Sequence, residues 1–416
     1  MRKTAIALSI ILTVLFSSIA VSLYFNGNFS TQPPIDTPTP TPTKEPLTTL
    51  APTTTLNPTQ PTPSKTPIPS SFSTSNASPT PTLTWHFSTV DSAIPFVLNS
   101  GIGYYPSIAL DSAGKAHISY WVGLYNASLK YASQTGISWN IQVVDSKLEG
   151  AYSSLALDSN DLPHISYYDH STLKYASYNG STWSIQTVDS NGNVGAYCSL
   201  KLDSSNYPHI SYYDNSDGNL KYAKWNGSAW DIQTVDSQGD VGYCTSLALD
   251  KDGNPHISYN DASTNSLKYA SLESLGWSLQ TVDNARKSND FTSLALDSGG
   301  KPHISYLASG GGVAYASLVG TVGSTQMVNA SPGVGFYCSL ALDQNNYPYI
   351  SYQDNSDQTA YPKLGYSYWN GTGWSSQIVS SGAVGFYTSI ALDKSGHPHI
   401  SHMNGKTGGL LYAELS

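Results

Sequence analysis

An all-β fold, a seven-bladed β-propeller built from four-stranded antiparallel blades, follows from three observations on this 416-residue chain. The pair "LD" closes a short apolar run at Asp111, Asp158, Asp203, Asp250, Asp297, Asp343 and Asp393, in steps of 47, 45, 47, 47, 46 and 50 residues. Filled with strand-like alternation and turn residues, that period belongs to a four-stranded blade and not to a helical solenoid. One unit divides cleanly into "CSLKLD", the turn "SSNYP", "HISYYD", the turn "NSDGN", "LKYAKW", an Asn-Gly turn and "WDIQTVD", which leaves no room for helix. Finally, the last unit stops after its third strand, Leu410 to Ser416, while "TWHFSTVDS", Thr84 to Ser92, matches "TWSIQTVDS", Thr182 to Ser190, ahead of the first unit. A ring gains a hydrogen-bonded seam by splitting one unit between its ends, whereas a linear array gains nothing.

Taken in order, residues 1–25 read as a secretory address, with basic "MRK", the apolar run Ala5 to Phe25 and the small-residue site "SIA". A run of about 20 apolar residues also spans a bilayer, so a cleaved signal peptide and a retained signal anchor both stand. Residues 26–83 form a Pro/Thr/Ser tract with almost nothing to bury, expected to be a disordered stalk reaching up to about 150 Å in polyproline II. Residues 84–416 are the propeller, with 84–91 completing its last blade. Sequons at Asn126, Asn179, Asn226 and Asn370 are the candidate glycosylation sites, three of them in "NGS" or "NGT" turns. These features place the chain outside the cytoplasm, secreted or anchored at the cell surface, with the membrane touched only by the N-terminal segment.

Charge excludes one class of partner. Four of the 19 basic and two of the 28 acidic residues precede residue 84, leaving 15 against 26 beyond it. Such an acidic domain repels nucleic-acid phosphates and anionic lipid surfaces. Three cysteines, Cys198, Cys244 and Cys338, are too few for a disulfide framework and close one pair at most.

Several columns recur in all seven units, and a feature needed at every blade is most simply a packing feature. A serine opens each first strand (Ser107, Ser154 and their equivalents), and another sits in each second strand. His117, His164, His209, His256, His303 and His399 share one second-strand column, where the sixth unit has Tyr349. Six histidines with a tyrosine substitute suit a hydrogen-bonded brace and not one catalytic or metal site. The expected brace is an Asp, His and Ser network within each blade: Asp158, His164 and Ser166; Asp203, His209 and Ser211; Asp250, His256 and Ser258.

The stretch "SLALDKDGNPHISYND", Ser246 to Asp261, resembles the D-x-x-G-N turn and flanking strands of NHL and SBBP-type extracellular propeller repeats from archaeal and bacterial surface proteins. The resemblance covers residues 84–416 and implies fold, since propellers host enzymes, lectins and scaffolds alike. A sialidase needs an arginine cluster, and the chain holds only Arg2 and Arg286. For a two-carboxylate glycosidase nothing marks a pair, although Asp240 and Asp290 lie on neighbouring loops. Calcium at "DKDGN" gives way to an Asx-turn because the other six turns lack the second aspartate. A histidine group, His86, His397, His399 and His402, is set aside because alternation puts His399 and His402 on opposite faces.

The connections from each blade's last strand to the next blade's first strand open on one face, around the channel mouth. Just inside them lie Tyr105, Tyr152, Tyr197, Cys244, Phe291, Tyr337 and Tyr387, either a platform for sugar or peptide or plain blade packing. Lys201 replaces the alanine found at that position in the other six units, and Arg286 with Lys287 makes a lone basic spot. The aromatic column with Lys201 and Arg286 forms the candidate ligand-binding set. The expectation is a monomeric, non-enzymatic recognition module for extracellular glycan or protein ligands, without cofactor or metal. The alternatives are a cell-envelope or adhesion component without a dedicated pocket and, further back, a glycoside hydrolase or lyase.

Overall fold

The computed structural model describes residues 83–92, 101–123, 127–146, 151–284, 291–320, 322–357 and 361–416. All of them belong to the compact unit Ala77–Ser416. The signal segment, the stalk up to residue 82, Asn126 and Arg286 lie outside the described residues.

Every described element is a strand, and the strands form seven four-stranded antiparallel sheets. Strand β1 is Trp85–Asp91, and the first full blade comprises β2 (Ile102–Leu110), β3 (Ala116–Val122), β4 (Ser128–Thr135) and β5 (Ser138–Asp145). Blades two to six span residues 151–189, 194–236, 241–283, 293–329 and 334–380 in the same order of strands. The seventh holds β26 (Phe386–Leu392), β27 (Pro398–Met403) and β28 (Leu410–Leu415), and its outer strand is β1. Trp85 pairs with Leu415 and Ser88 with Tyr412, while Thr84 and Ser416 exchange backbone hydrogen bonds of 3.0 and 3.1 Å. The seam is therefore an ordinary sheet edge made of the two ends of the domain.

The core lies between blades. One cluster joins Leu173, Tyr175 and Val188 of the second blade to Val194, Leu200, Ile210 and Tyr212 of the third, and similar clusters fill the other junctions. Alternation explains this, because each sheet sends one set of side chains to either neighbour. Ile210 and Tyr212 are fully buried, each side chain of that kind contributing about 1.5–3 kcal/mol.

Three polar layers cross the same junctions. Innermost, the first-strand serine accepts the next blade's backbone N–H: Leu155 N–H donates to Ser107 Oγ at 3.0 Å, and the pattern runs through Ile108 N–H to Ser389 Oγ at 3.2 Å, closing the circle. Midway, a second-strand tyrosine donates to the aspartate ending the previous blade's outer strand, as from Tyr212 to Asp189 (2.7 Å) and from Tyr259 to Asp236 (2.7 Å). Lys221 and Lys268 join these carboxylates. Outermost, Trp183 Nε1 donates to Gln142 and Trp277 Nε1 to Gln233.

The layers are unevenly complete. Asn329 and Ser380 stand where the fifth and sixth blades would offer the aspartate, and Ala314, Gly365 and Leu411 replace the lysine. Trp85 and Trp374 have Nε1 atoms that are buried and unpartnered, and Gly323 occupies the tryptophan position of the fifth blade.

Candidate functional site

The site is built on a bulge repeated in the innermost strands. In blade one Tyr104 pairs with Trp121 and Ser107 with Ser119, so Tyr105 and Pro106 oppose the single residue Tyr120. Such a bulge twists the strand and re-aims a side chain. Tyr105, Tyr152, Tyr197, Cys244, Tyr337 and Tyr387 all take φ between 48° and 55°, a left-handed conformation that costs a non-glycine residue about 1–2 kcal/mol. Six residues held there in one ring is backbone strain concentrated at one level of the channel.

The bulge brings the predicted aromatic column together. Ring centroids lie 4.4 Å apart for Tyr105 and Tyr152, 4.4 Å for Tyr152 and Tyr197, 4.6 Å for Tyr105 and Tyr387, and 4.3 Å for Tyr337 and Tyr387. The phenols of Tyr197, Tyr152, Tyr105, Tyr387 and Tyr337 follow one another around the ring, and burial raises the phenol pKa values of the first four. Cys244 interrupts the circle. Phe291 leans into the middle, 6.4 Å from Tyr105 and 6.3 Å from Tyr197, which lie on distant blades. The aromatic residues thus form a disc across the channel.

Beside the disc is a cavity of about 170 Å³, lined by these aromatics, the residues after them and the serine ring. The residue between aromatic and serine carries a second circuit. Thr245 Oγ1 donates to Tyr197 O at 3.0 Å and accepts from Ser211 at 2.7 Å; Thr292 does the same between Cys244 O and Ser258. Cys198 takes that place between Tyr152 O and Ser166, and Cys338 between Phe291 O and Ser305. All three cysteines are buried thiols and no disulfide closes; burial pushes the Cys198 thiol up to about 12. At the junction of the seventh and first blades Pro106 has no hydroxyl to offer, and Ser401 Oγ is left without a partner.

The serines therefore correct the expected brace. Ser166, Ser211 and Ser258 point to the neighbouring blade, and the third member within the blade is a tyrosine of the third strand. Tyr222 donates to His209 Nδ1 at 2.5 Å while His209 Nε2 faces Asp203 at 3.4 Å. His164 and His256 bond Tyr175 and Tyr269 in the same way, with Asp158 and Asp250 at 3.8 Å. Register sets this outcome: the second strand lies beside the third, where the tyrosine reaches the imidazole diagonally. Burial lowers every histidine of the column, His209 to about 4, with Lys224 adding to the effect. Tyr349 instead stacks on Tyr368, centroids 5.8 Å apart.

Elsewhere, Asp250 Oδ1 accepts the N–H groups of Asp252 and Asn254, an Asx-turn repeated in the other blades. Among the described residues no three His, Cys, Asp or Glu side chains converge as a metal site. The histidines of the closing blade separate: His399 bonds Tyr412, while His402 Nδ1 accepts from Gly385 N–H. Asp240 is engaged by Tyr213 (2.6 Å) and Tyr243 (3.2 Å), and Asp290 lies outside the described residues. Asn179, Asn226 and Asn370 are exposed, each capping its own turn through Oδ1. Lys201 has an exposed side chain on the innermost strand and no carboxylate partner among the described residues; desolvation by the protein packed around the channel lowers its pKa.

No protein-family model matches the chain, and no curated protein matches it in sequence. Among solved structures it is similar to an α-L-arabinanase from Penicillium chrysogenum complexed with arabinobiose, at 10% identity and a TM-score of 0.51, covering 81% of this chain and 98% of that one. It also matches a fucose-specific lectin from Aleuria aurantia, at 15% identity and a TM-score of 0.49, covering 70% and 98%. A protein of unknown function from Dyadobacter fermentans matches at 8% identity and 0.48, covering 79% and 99%. At these identities the likeness speaks for the propeller fold. It also corrects one expectation: an enzyme stands among the structures with this architecture, so the reading of the chain as non-enzymatic is withdrawn, because a propeller does not determine what its loops do.

Proposed function

We propose that the propeller is a recognition module displayed outside the cell, secreted or anchored through its N-terminal segment, that takes glycan ligands at the channel mouth. The observation that carries this reading is the aromatic disc held at strained backbone positions beside a cavity edged with serine and tyrosine hydroxyls. Aromatic faces take the apolar faces of sugar rings, and convergent hydroxyls take their O–H groups. The similarity to NHL and SBBP-type repeats of surface proteins belongs to the same proposal, as does action as a monomer.

One observation favours a second reading. The rings touch one another around the axis, which suits a structural plug in an envelope or adhesion component. A glycan array with the wild type and with Tyr197→Ala, Tyr337→Ala separates the two. Binding by the wild type that is lost in the folded double variant supports recognition; silence across the array with unchanged folding transfers the disc to the scaffold.

A further inference from the structure

Lys201 departs from its column for a reason that packing does not supply. The equivalent alanines sit against the neighbouring blade's core, Ala156 and Ala248 among them, and the fold needs nothing larger there. Lys201 shares a strand face with Ser199, two residues and about 7 Å along the strand. The innermost strand has a strand on one edge and blades on both faces, so its exposed side chain opens toward the axis. Lys130, Lys221 and Lys268 are each tied to an aspartate, whereas Lys201 is tied to none among the described residues.

The serine ring next to it has a defined polarity. Each hydroxyl accepts a backbone N–H from the next blade, which uses an oxygen lone pair and leaves the O–H proton to donate elsewhere. These serines are half-buried and border the 170 Å³ cavity, so their remaining donors face its interior. The level below the disc is therefore a ring of donors, with the Lys201 ammonium based two residues further along the strand and outside the cavity lining, and the two together attract an anion inside an otherwise acidic domain. A halide would leave most of this volume empty.

We propose that the axial cavity takes an acidic sugar, a monosaccharide unit whose carboxylate is held by Lys201 while its hydroxyls meet the serine ring and its apolar face meets the aromatic disc. This deepens the carbohydrate reading and rests on it. Lys201 lies one same-face position below Ser199 and outside the lining of the cavity; its flexible four-carbon stem spans most of that rise, so the ammonium can reach a carboxylate seated at the serine level.

The test titrates the full chain with glucuronate, glucose and acetate by calorimetry, for the wild type and Lys201→Ala. The substitution restores the residue of the six other units, so its melting temperature should match or exceed the wild type. The expected result is glucuronate binding about tenfold or more tighter than glucose, weakened by salt, with that preference abolished in Lys201→Ala. Equal affinity for glucuronate and glucose, or a preference that survives Lys201→Ala, overturns the proposal while leaving sugar recognition standing. Acetate binding as tightly as glucuronate overturns it in favour of a simple carboxylate site. Failure of every sugar to bind the wild type removes both this proposal and the carbohydrate reading.

Discussion

The Tyr120 hydroxyl donates to the Asp91 carboxylate across 2.7 Å, and the two residues belong to different blades. Asp91 ends β1, the strand that completes the last blade, and Lys130 reaches the same oxygen at 2.8 Å. One carboxylate therefore ties the seam strand to the blade beyond it. Asp91→Ala leaves a phenol and an ammonium without their acceptor and is expected to cost roughly 1–3 kcal/mol, read as a lowered urea midpoint. Deleting residues 84–91 removes strand and clasp together and should lower the melting temperature sharply; an unchanged transition would contradict ring closure.

Ser258 and Ser401 occupy the same column but differ in partners. Ser258 lies 2.7 Å from Thr292 Oγ1, while Ser401 faces the junction where Pro106 offers no hydroxyl. Ser258→Ala should therefore destabilise the fold by about 1 kcal/mol and Ser401→Ala by much less, or even stabilise it. Equal losses in chemical denaturation would show that the hydroxyl circuit contributes nothing.

Cys198 does with a thiol what Thr245 and Thr292 do with a hydroxyl. A thiol is the weaker donor, and threonine already fits the site in three blades. Cys198→Thr is expected to raise stability by a few tenths to about 1 kcal/mol. In the same samples, thiol reagents should label no cysteine rapidly before unfolding and all three after it.

The buried histidines set an acid limit. His209 takes its proton near 6.5 when unfolded but only at about 4 in the folded protein. Between those values the unfolded state binds more protons, so stability falls as pH drops from 6.5 toward 4 and is fully present above 6.5. His402, buried and lowered to about 4, acts in the same direction. His209→Tyr, which copies the residue that the sixth blade carries at Tyr349, should give a shallower loss of stability across that window; a parallel curve would remove His209 from the acid response.

The repeat and its seam were legible because the period is strict and because the "TVDS" ending appears once too early, at Thr89 to Ser92. The histidine column was legible as structural because Tyr349 substitutes within it. Its partner was not, since the spacing between Asp203, His209 and Ser211 says nothing about which side of the sheet borders another blade. The same blindness hid the contact of Tyr212 with Asp189: both recur along the chain, but only three-dimensional stacking joins the second strand of one blade to the outer strand of the previous one. The aromatic column could be located around the channel, yet its left-handed backbone, which turns Tyr105 and its equivalents onto the axis, leaves no mark in residues that ordinarily avoid that conformation.

The unequal clasps divide the circle mechanically. From the seventh blade through the first to the fourth, every junction has its tyrosine and aspartate contact and its tryptophan donor engaged, from Trp139 with Ser88 to Trp277 with Gln233. The next three junctions lack one or both. A stiff crescent is thus closed by a compliant arc, and slow amide exchange should persist longest in the crescent. Anything seated on the axis bears on both parts at once, so occupancy there would tighten the arc without touching it.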